Sequence, residues 1–207
     1  MASPHMRRAA ALKRGEPNKD KHAGKPEDSN DRASQQWRVP APSLAELRWL
    51  RGQGVSRAAI LCPWPIGATN VIFYGEGFEL DPNGERVLTF LVEDCGEVID
   101  IAAWQPRTGQ LATRRRAGFA IGQEAIFNPA SYFADGALKV HGTPLQWLLA
   151  DREGIVIVQP DMAHAYLANC QRLAFPDAAH ARQVEQWIQP LKPTVKIFVA
   201  IEERAAA

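Results

Sequence analysis

Cysteine is scarce in this chain: Cys62, Cys95 and Cys170 are the 3 in 207 residues. Their number is odd and their spacings are wide, so neither a disulfide framework nor a zinc knuckle fits them, and a reducing cytoplasm is expected. Long apolar runs are missing as well. Nothing approaches the roughly 18 consecutive apolar residues of a membrane span. Arg7 and Arg8 are followed only by the short apolar stretch 9–12, too brief for the hydrophobic region of a secretory signal. Charge of one sign is not in excess either, because 24 Lys and Arg face 23 Asp and Glu, which gives no global attraction to nucleic acid or to an anionic membrane. A Gly-rich phosphate loop, a nucleophile elbow, a His-Glu-x-x-His helix and paired cysteines are all absent, so none of the enzyme classes that those motifs mark is indicated.

What is present is enough for one core, since 46% of the residues are hydrophobic and domains usually hold about 100 to 200 residues. Residues 1–36 hold little of that apolar content, and apart from small alanines only Met1, Met6 and Leu12. They predict a disordered polar and basic tail, ahead of a single α/β domain over 37–207, because they cannot bury enough surface to offset their ordering entropy. Arg7, Arg8, Lys13, Arg14, Lys19, Lys21, Lys25 and Arg32 outnumber the acids of the tail, which permits a weak tether to nucleic acid; a purely solvated tail is the alternative.

Order is expected from Trp37 onward. Ser43 and Glu46 make a capping box for a helix over 44–50 that Gly52 and Gly54 stop. Beyond Pro63-Trp64-Pro65, β-type runs at 70–74, 86–93, 97–104 and 110–114 are separated by Asp94-Cys95-Gly96 and Pro106-Arg107-Thr108-Gly109. Residues 70–121 therefore read as an antiparallel β meander within a first part, 37–136. From 137 the rhythm changes. Strands over 138–140, 155–158, 172–175 and 195–201 alternate with helices opened by Thr143-Pro144, Pro160-Asp161 and Asp177, the pattern of a small parallel βαβαβαβ sheet over 137–207.

In open parallel sheets ligands gather where the strands end at their carboxyl side. His141, Asp161 and Asp177 fall at such ends and form a candidate catalytic set, with Asp161 and Asp177 as candidate ligands for a divalent cation such as magnesium. Helix capping accounts for the same aspartates. The dense basic run Arg114-Arg115-Arg116, with Arg107 and Trp104 nearby, is a candidate nucleic-acid surface. Strand alternation puts Arg114 and Arg116 on one face, and Trp104 offers a ring for a stacked base. Charge protection of a sheet edge is the alternative. His164 and His180 lie in predicted helices as ordinary half-exposed imidazoles, and Trp147 and Trp187 are expected to anchor the core.

The lead-in 86–100, an apolar strand, a polar turn with Gly96 and a second apolar strand, resembles the toprim catalytic core of bacterial and phage DNA primases. Val140-His141-Gly142, the helix to Ala150 and the strand after Gly154 resemble that family's Val-Glu-Gly, helix, Gly and apolar strand. Phe175-Pro176-Asp177-Ala178-Ala179-His180-Ala181 sits where the family has its Asp-x-Asp strand end and following helix start. The resemblance spans about 86–190 and implies a toprim-like fold. The family's glutamate, a general acid or base, is His141 here, and the first of its two magnesium-binding aspartates is Phe175. Phenylalanine neither coordinates a hard cation nor carries a transferable proton.

The expected function is therefore a non-catalytic toprim-like binding or accessory module, associated with DNA or RNA in replication or mobile-element processes. Two alternatives stay open: a metal-dependent phosphoryl-transfer or nuclease-type enzyme using His141, Asp161 and Asp177, and a structural domain that contacts other proteins. No membrane partner is expected.

Overall fold

The computed structural model describes residues 39–132 and 136–189; the tail over 1–36 and the strand expected over 195–201 lie outside the described residues. Helix α1 (Leu44–Gly52) begins as the sequence predicts, with Ser43 Oγ accepting from the Glu46 amide and Glu46 reaching back to the Ser43 amide. A second helix, α2 (Arg57–Leu61), follows at once, capped by Ser56.

The first sheet closes on itself. Strands β1 (Gly67–Tyr74), β2 (Gly77–Leu80), β3 (Glu85–Asp94), β4 (Glu97–Trp104) and β5 (Leu111–Thr113) form a barrel in the order β1-β2-β5-β4-β3. β3, β4 and β5 are the antiparallel meander the sequence predicts. The β1-β2 hairpin lies beside it, and the barrel is completed by a parallel contact between Gly77 and Thr113. The antiparallel meander expected over 70–121 is thus corrected to a closed barrel with one parallel seam. Closure leaves no unpaired barrel edge, which meets the edge problem of a small sheet.

The second sheet has the order β6-β8-β7-β9, built from β6 (Ala120–Ile121), β7 (Leu138–His141), β8 (Ile155–Ile157) and β9 (Leu173–Ala174). β7, β8 and β9 run parallel, but β6 is antiparallel to β8. The sheet is mixed rather than wholly parallel, because β6, by which the chain leaves the barrel, pairs antiparallel with β8 on the side away from β7. Helices α3 (Pro144–Leu149), α4 (Ala163–Leu167) and α5 (Ala178–Ile188) connect or follow these strands. Gly154, at φ +81°, precedes β8 where a Cβ would stand 2.2 Å from the Lys139 carbonyl oxygen, so the two strands come together there only around glycine.

Alternation along β3 explains how the two sheets join. Val87 faces the barrel interior with Val71, Phe78, Ile101, Ala103 and Ala112. Leu88, Phe90 and Val92 point outward, and they are buried too, against Leu50, Ile60, Trp147, Val156 and Val158. A strand covered on both faces reads as the near-continuous apolar run Val87-Leu88-Thr89-Phe90-Leu91-Val92 rather than as an alternating one. A third cluster, including Phe119, Val140, Ile155, Leu167 and Val184, fills the space between the second sheet and α4 and α5.

Candidate functional site

His141 ends β7 and is half-buried. Its Nε2–H donates to the Glu153 carbonyl at 2.8 Å, which leaves Nδ1 as the lone-pair nitrogen. Burial, the largest influence, holds its pKa below the ordinary histidine value, with Lys139 acting in the same direction. His180 lies close by on α5, its ring edge-on to Phe175 with centroids 5.5 Å apart. Its pKa is also lowered, chiefly by burial, and its Nδ1 is buried without a hydrogen-bond partner. A Cβ on Gly142 would stand 3.6 Å from that nitrogen. The strand ends thus hold two neutral-leaning imidazoles and a phenyl ring.

The two aspartates have other duties. Asp177 Oδ1 accepts the His180 amide at 2.8 Å and caps α5. Asp161 is exposed in the turn after β8, and Arg116 Nη2 stands 3.9 Å from its Oδ2. Among the described residues no group of three or more His, Cys, Asp or Glu side chains is placed to hold a metal ion. The expected convergence of His141, Asp161 and Asp177 is corrected accordingly: one is bound to a backbone carbonyl, one faces an arginine and one closes a helix.

The arginines are also arranged differently from a strand face. β5 stops at Thr113, and the next residues turn inward around Asp100, a fully buried carboxylate on β4. Four backbone N–H groups donate to it: Ile101 at 2.8 Å, Arg115 at 3.0 Å, Ala117 at 2.8 Å and Gly118 at 3.2 Å. Gly118 is required where it stands, since a Cβ there would meet Val92 Cγ1 at 2.6 Å. The wrap forces Arg116 to φ +57°, so the alternation expected for Arg114 and Arg116 does not occur. Arg114 is half-buried, while Arg115 and Arg116 are exposed. Arg116 pairs with Glu76 and reaches toward Asp161 and Gln159. Arg107 is exposed in the turn between β4 and β5, where its amide donates to Gln105 Oε1 at 3.0 Å.

Trp104 is 4% exposed and packs against Trp49 with centroids 6.2 Å apart. A ring enclosed in the core offers no face to a base, so its assignment as a stacking platform is corrected. The reason is its register: it pairs with Leu88, on the doubly covered side of the barrel.

A cleft of about 450 Å³ opens elsewhere, between the Pro63-Trp64-Pro65 segment, β3, the short 3₁₀ turn Gln123–Ile126 and the amino ends of β7 and β8. Its charged lining is Glu93, Glu124, Lys139, Arg152 and Glu153. Lys139 Nζ and Glu153 Oε2 are 2.7 Å apart. Arg152 lies over the Trp147 ring at 5.3 Å and donates from Nε to the Ala59 carbonyl at 2.6 Å. Desolvation pulls its pKa down to about 10. Sequence reasoning missed both this cleft and Asp100. The signal for Asp100 was legible as one acid inside the apolar run Val98-Ile99-Asp100-Ile101-Ala102-Ala103-Trp104. The cleft had none, because its walls come from five separate stretches of the chain.

In comparisons with known proteins, no family model, no curated protein and no solved structure matches this chain.

Proposed function

We propose that the chain is a non-catalytic binding or accessory module of toprim-like build, acting in the cytoplasm through contact rather than through chemistry of its own. One observation carries the reading. The carboxyl ends of β7 and β9 carry His141 and Phe175, neither of them a carboxylate, and the nearby acid Asp177 is engaged as a helix cap, which supports reading them as substitutes for the carboxylates that toprim chemistry needs. Magnesium at such a site would need several oxygen ligands, and this edge presents imidazole and phenyl groups instead. The three unpaired cysteines accord with a reducing compartment, and no helix among the described residues is long and apolar enough to cross a membrane.

Association with DNA or RNA through Arg107, Arg114, Arg115 and Arg116 is the more specific form of this reading. It is favoured by Asp100, which fixes the backbone of the loop carrying three of these arginines. A protein of this kind gains no stability from magnesium or manganese, because only a ligand that binds the native state raises its melting temperature. Titration of either ion, followed by thermal melting and by a primer-synthesis assay, is expected to give no saturable shift and no product. A saturable shift, or product formation lost in Asp177→Ala, overturns the reading in favour of metal-assisted phosphoryl transfer.

A further inference from the structure

We infer that the cleft beside Trp64 is a binding site for a small organic cation, an ammonium or guanidinium group on an apolar body. It lies at the amino ends of β7 and β8, away from the strand ends on which the non-catalytic reading rests, so either conclusion can fail without the other.

The argument starts from the wall. Pro63 and Pro65 hold the Trp64 segment in fixed backbone geometry, and the Trp64 indole N–H donates to Glu93 Oε1. With its one donor satisfied, the ring is anchored, yet it remains 45% exposed. Such an indole offers a π face and apolar area but no further hydrogen bond, the surface that attracts organic cations. Glu93 reaches it because β3 carries a bulge between Val92 and Glu93, and bulges re-aim side chains at the ends of strands.

Charge then decides the sign of the ligand. Of the five charged residues lining the cleft, Lys139 and Glu153 neutralise each other. Glu124 accepts the Gly96 amide at 2.6 Å and Glu93 accepts the Trp64 indole; neither has an ion-pair partner among the described residues. One cation, Arg152, stands against these two carboxylates, held by Trp147 and the Ala59 carbonyl. The balance is negative by one charge. It is also polarised, so the ligand's positive end belongs with Glu93, Glu124 and Trp64, and its apolar body with Pro63, Ile66 and Phe90. The volume of about 450 Å³ falls in the range of small-molecule sites, roughly 300 to 1,000 Å³.

The test uses the full chain with 3-phenylpropylammonium, its neutral alcohol and its carboxylate analogue, 3-phenylpropionate. Binding is read from the Trp64 indole N–H resonance, assigned by its loss in Trp64→Phe. The ammonium compound is expected to move that resonance saturably, the alcohol to bind several-fold more weakly and the carboxylate to leave it unmoved. Glu93→Gln and Glu124→Gln each keep one acceptor oxygen for the single N–H group that the carboxylate receives and place the new NH₂ where water can meet it, so both fold without the charge; each is expected to weaken ammonium binding by roughly two- to fivefold, and added salt weakens it further. A tripeptide with a central lysine separates the sources: tighter binding than the free amine assigns the cation to a protein side chain, weaker binding to a small molecule. Equal affinity for the carboxylate, insensitivity to both Gln variants, or no movement of the Trp64 signal overturns the inference.

Discussion

Asp100→Asn is the most informative single change in this molecule. The substitution keeps size and shape but turns one of two acceptor oxygens into a donor. Oδ1 accepts from Ile101 and Arg115, and Oδ2 from Ala117, Gly118 and, at 3.3 Å, from Arg115 as well. Whichever way the amide settles, its NH₂ meets at least two backbone N–H groups as another donor, and all of these except Arg115, which keeps the second oxygen, lose their acceptor. An unmet buried donor costs about 1 to 3 kcal/mol, but Arg115 and Ala117 are exposed residues whose amides can recover water. The expected loss is therefore about 3 kcal/mol, at the lower part of the summed range. At roughly 2 to 4 °C per kcal/mol for a domain of this size, the melting temperature falls by about 6 to 12 °C. Amide exchange at Ala117 and Gly118 should accelerate beyond what the global loss of stability produces, because the loop is released locally first. Urea denaturation measures the first effect and hydrogen exchange the second. A variant within about 0.5 kcal/mol of the wild type, with the two amides still protected, refutes the reasoning that this carboxylate organises the arginine loop.

Two further outcomes are expected. The Glu46 carboxyl is held down to about 2, first by its hydrogen bond from Arg86. A depressed folded-state pKa gives stability that is present above the unfolded value and lost as pH falls through the folded one, here between about pH 4.5 and 2. Because Arg86 is 45% exposed, the pair is worth only about 1 kcal/mol, so Glu46→Gln should cost about that much at pH 7 and flatten the acid limb of a pH-stability curve. Replacing Arg114, Arg115 and Arg116 together by Gln should weaken DNA binding irrespective of sequence and reduce the log-log salt slope by about one to two units; a wild-type protein that binds neither DNA nor RNA at low salt removes the nucleic-acid form of the proposal.

Local signals carried through to the structure, and non-local ones had no trace in the sequence. Ser43 with Glu46, Thr143 with Pro144, and Asp177 each start the helix expected of them, because a cap acts within four residues of itself. The run 97–104 is β4 to the residue. The capped one-and-a-half turns of α2, the four residues of β2 and the two of β6 escaped notice, being too short to display a period. Barrel closure depends on Gly77 meeting Thr113, a contact across 36 positions that no pattern in either segment announces. The same holds at the site: Trp104 is the expected aromatic at the end of a strand, but only the docking of α1 and its Trp49 reveals that it is enclosed.

Phe90, buried on the outer side of the barrel wall, touches the Trp147 ring edge-on with centroids 6.0 Å apart. One of these residues belongs to the early half of the chain and the other to the late half, and each completes the apolar interior of the other. Translation delivers α1, α2 and the barrel strands first, so that Leu88, Phe90 and Val92 have Leu50 and Ile60 beside them but lack Trp147, Val156 and Val158 until α3 and β8 are made. A ribosome-bound or truncated chain ending near residue 136 is therefore a sticky intermediate rather than a finished module, and recombination that exchanges one half for a foreign counterpart breaks a seam that neither half can mend alone.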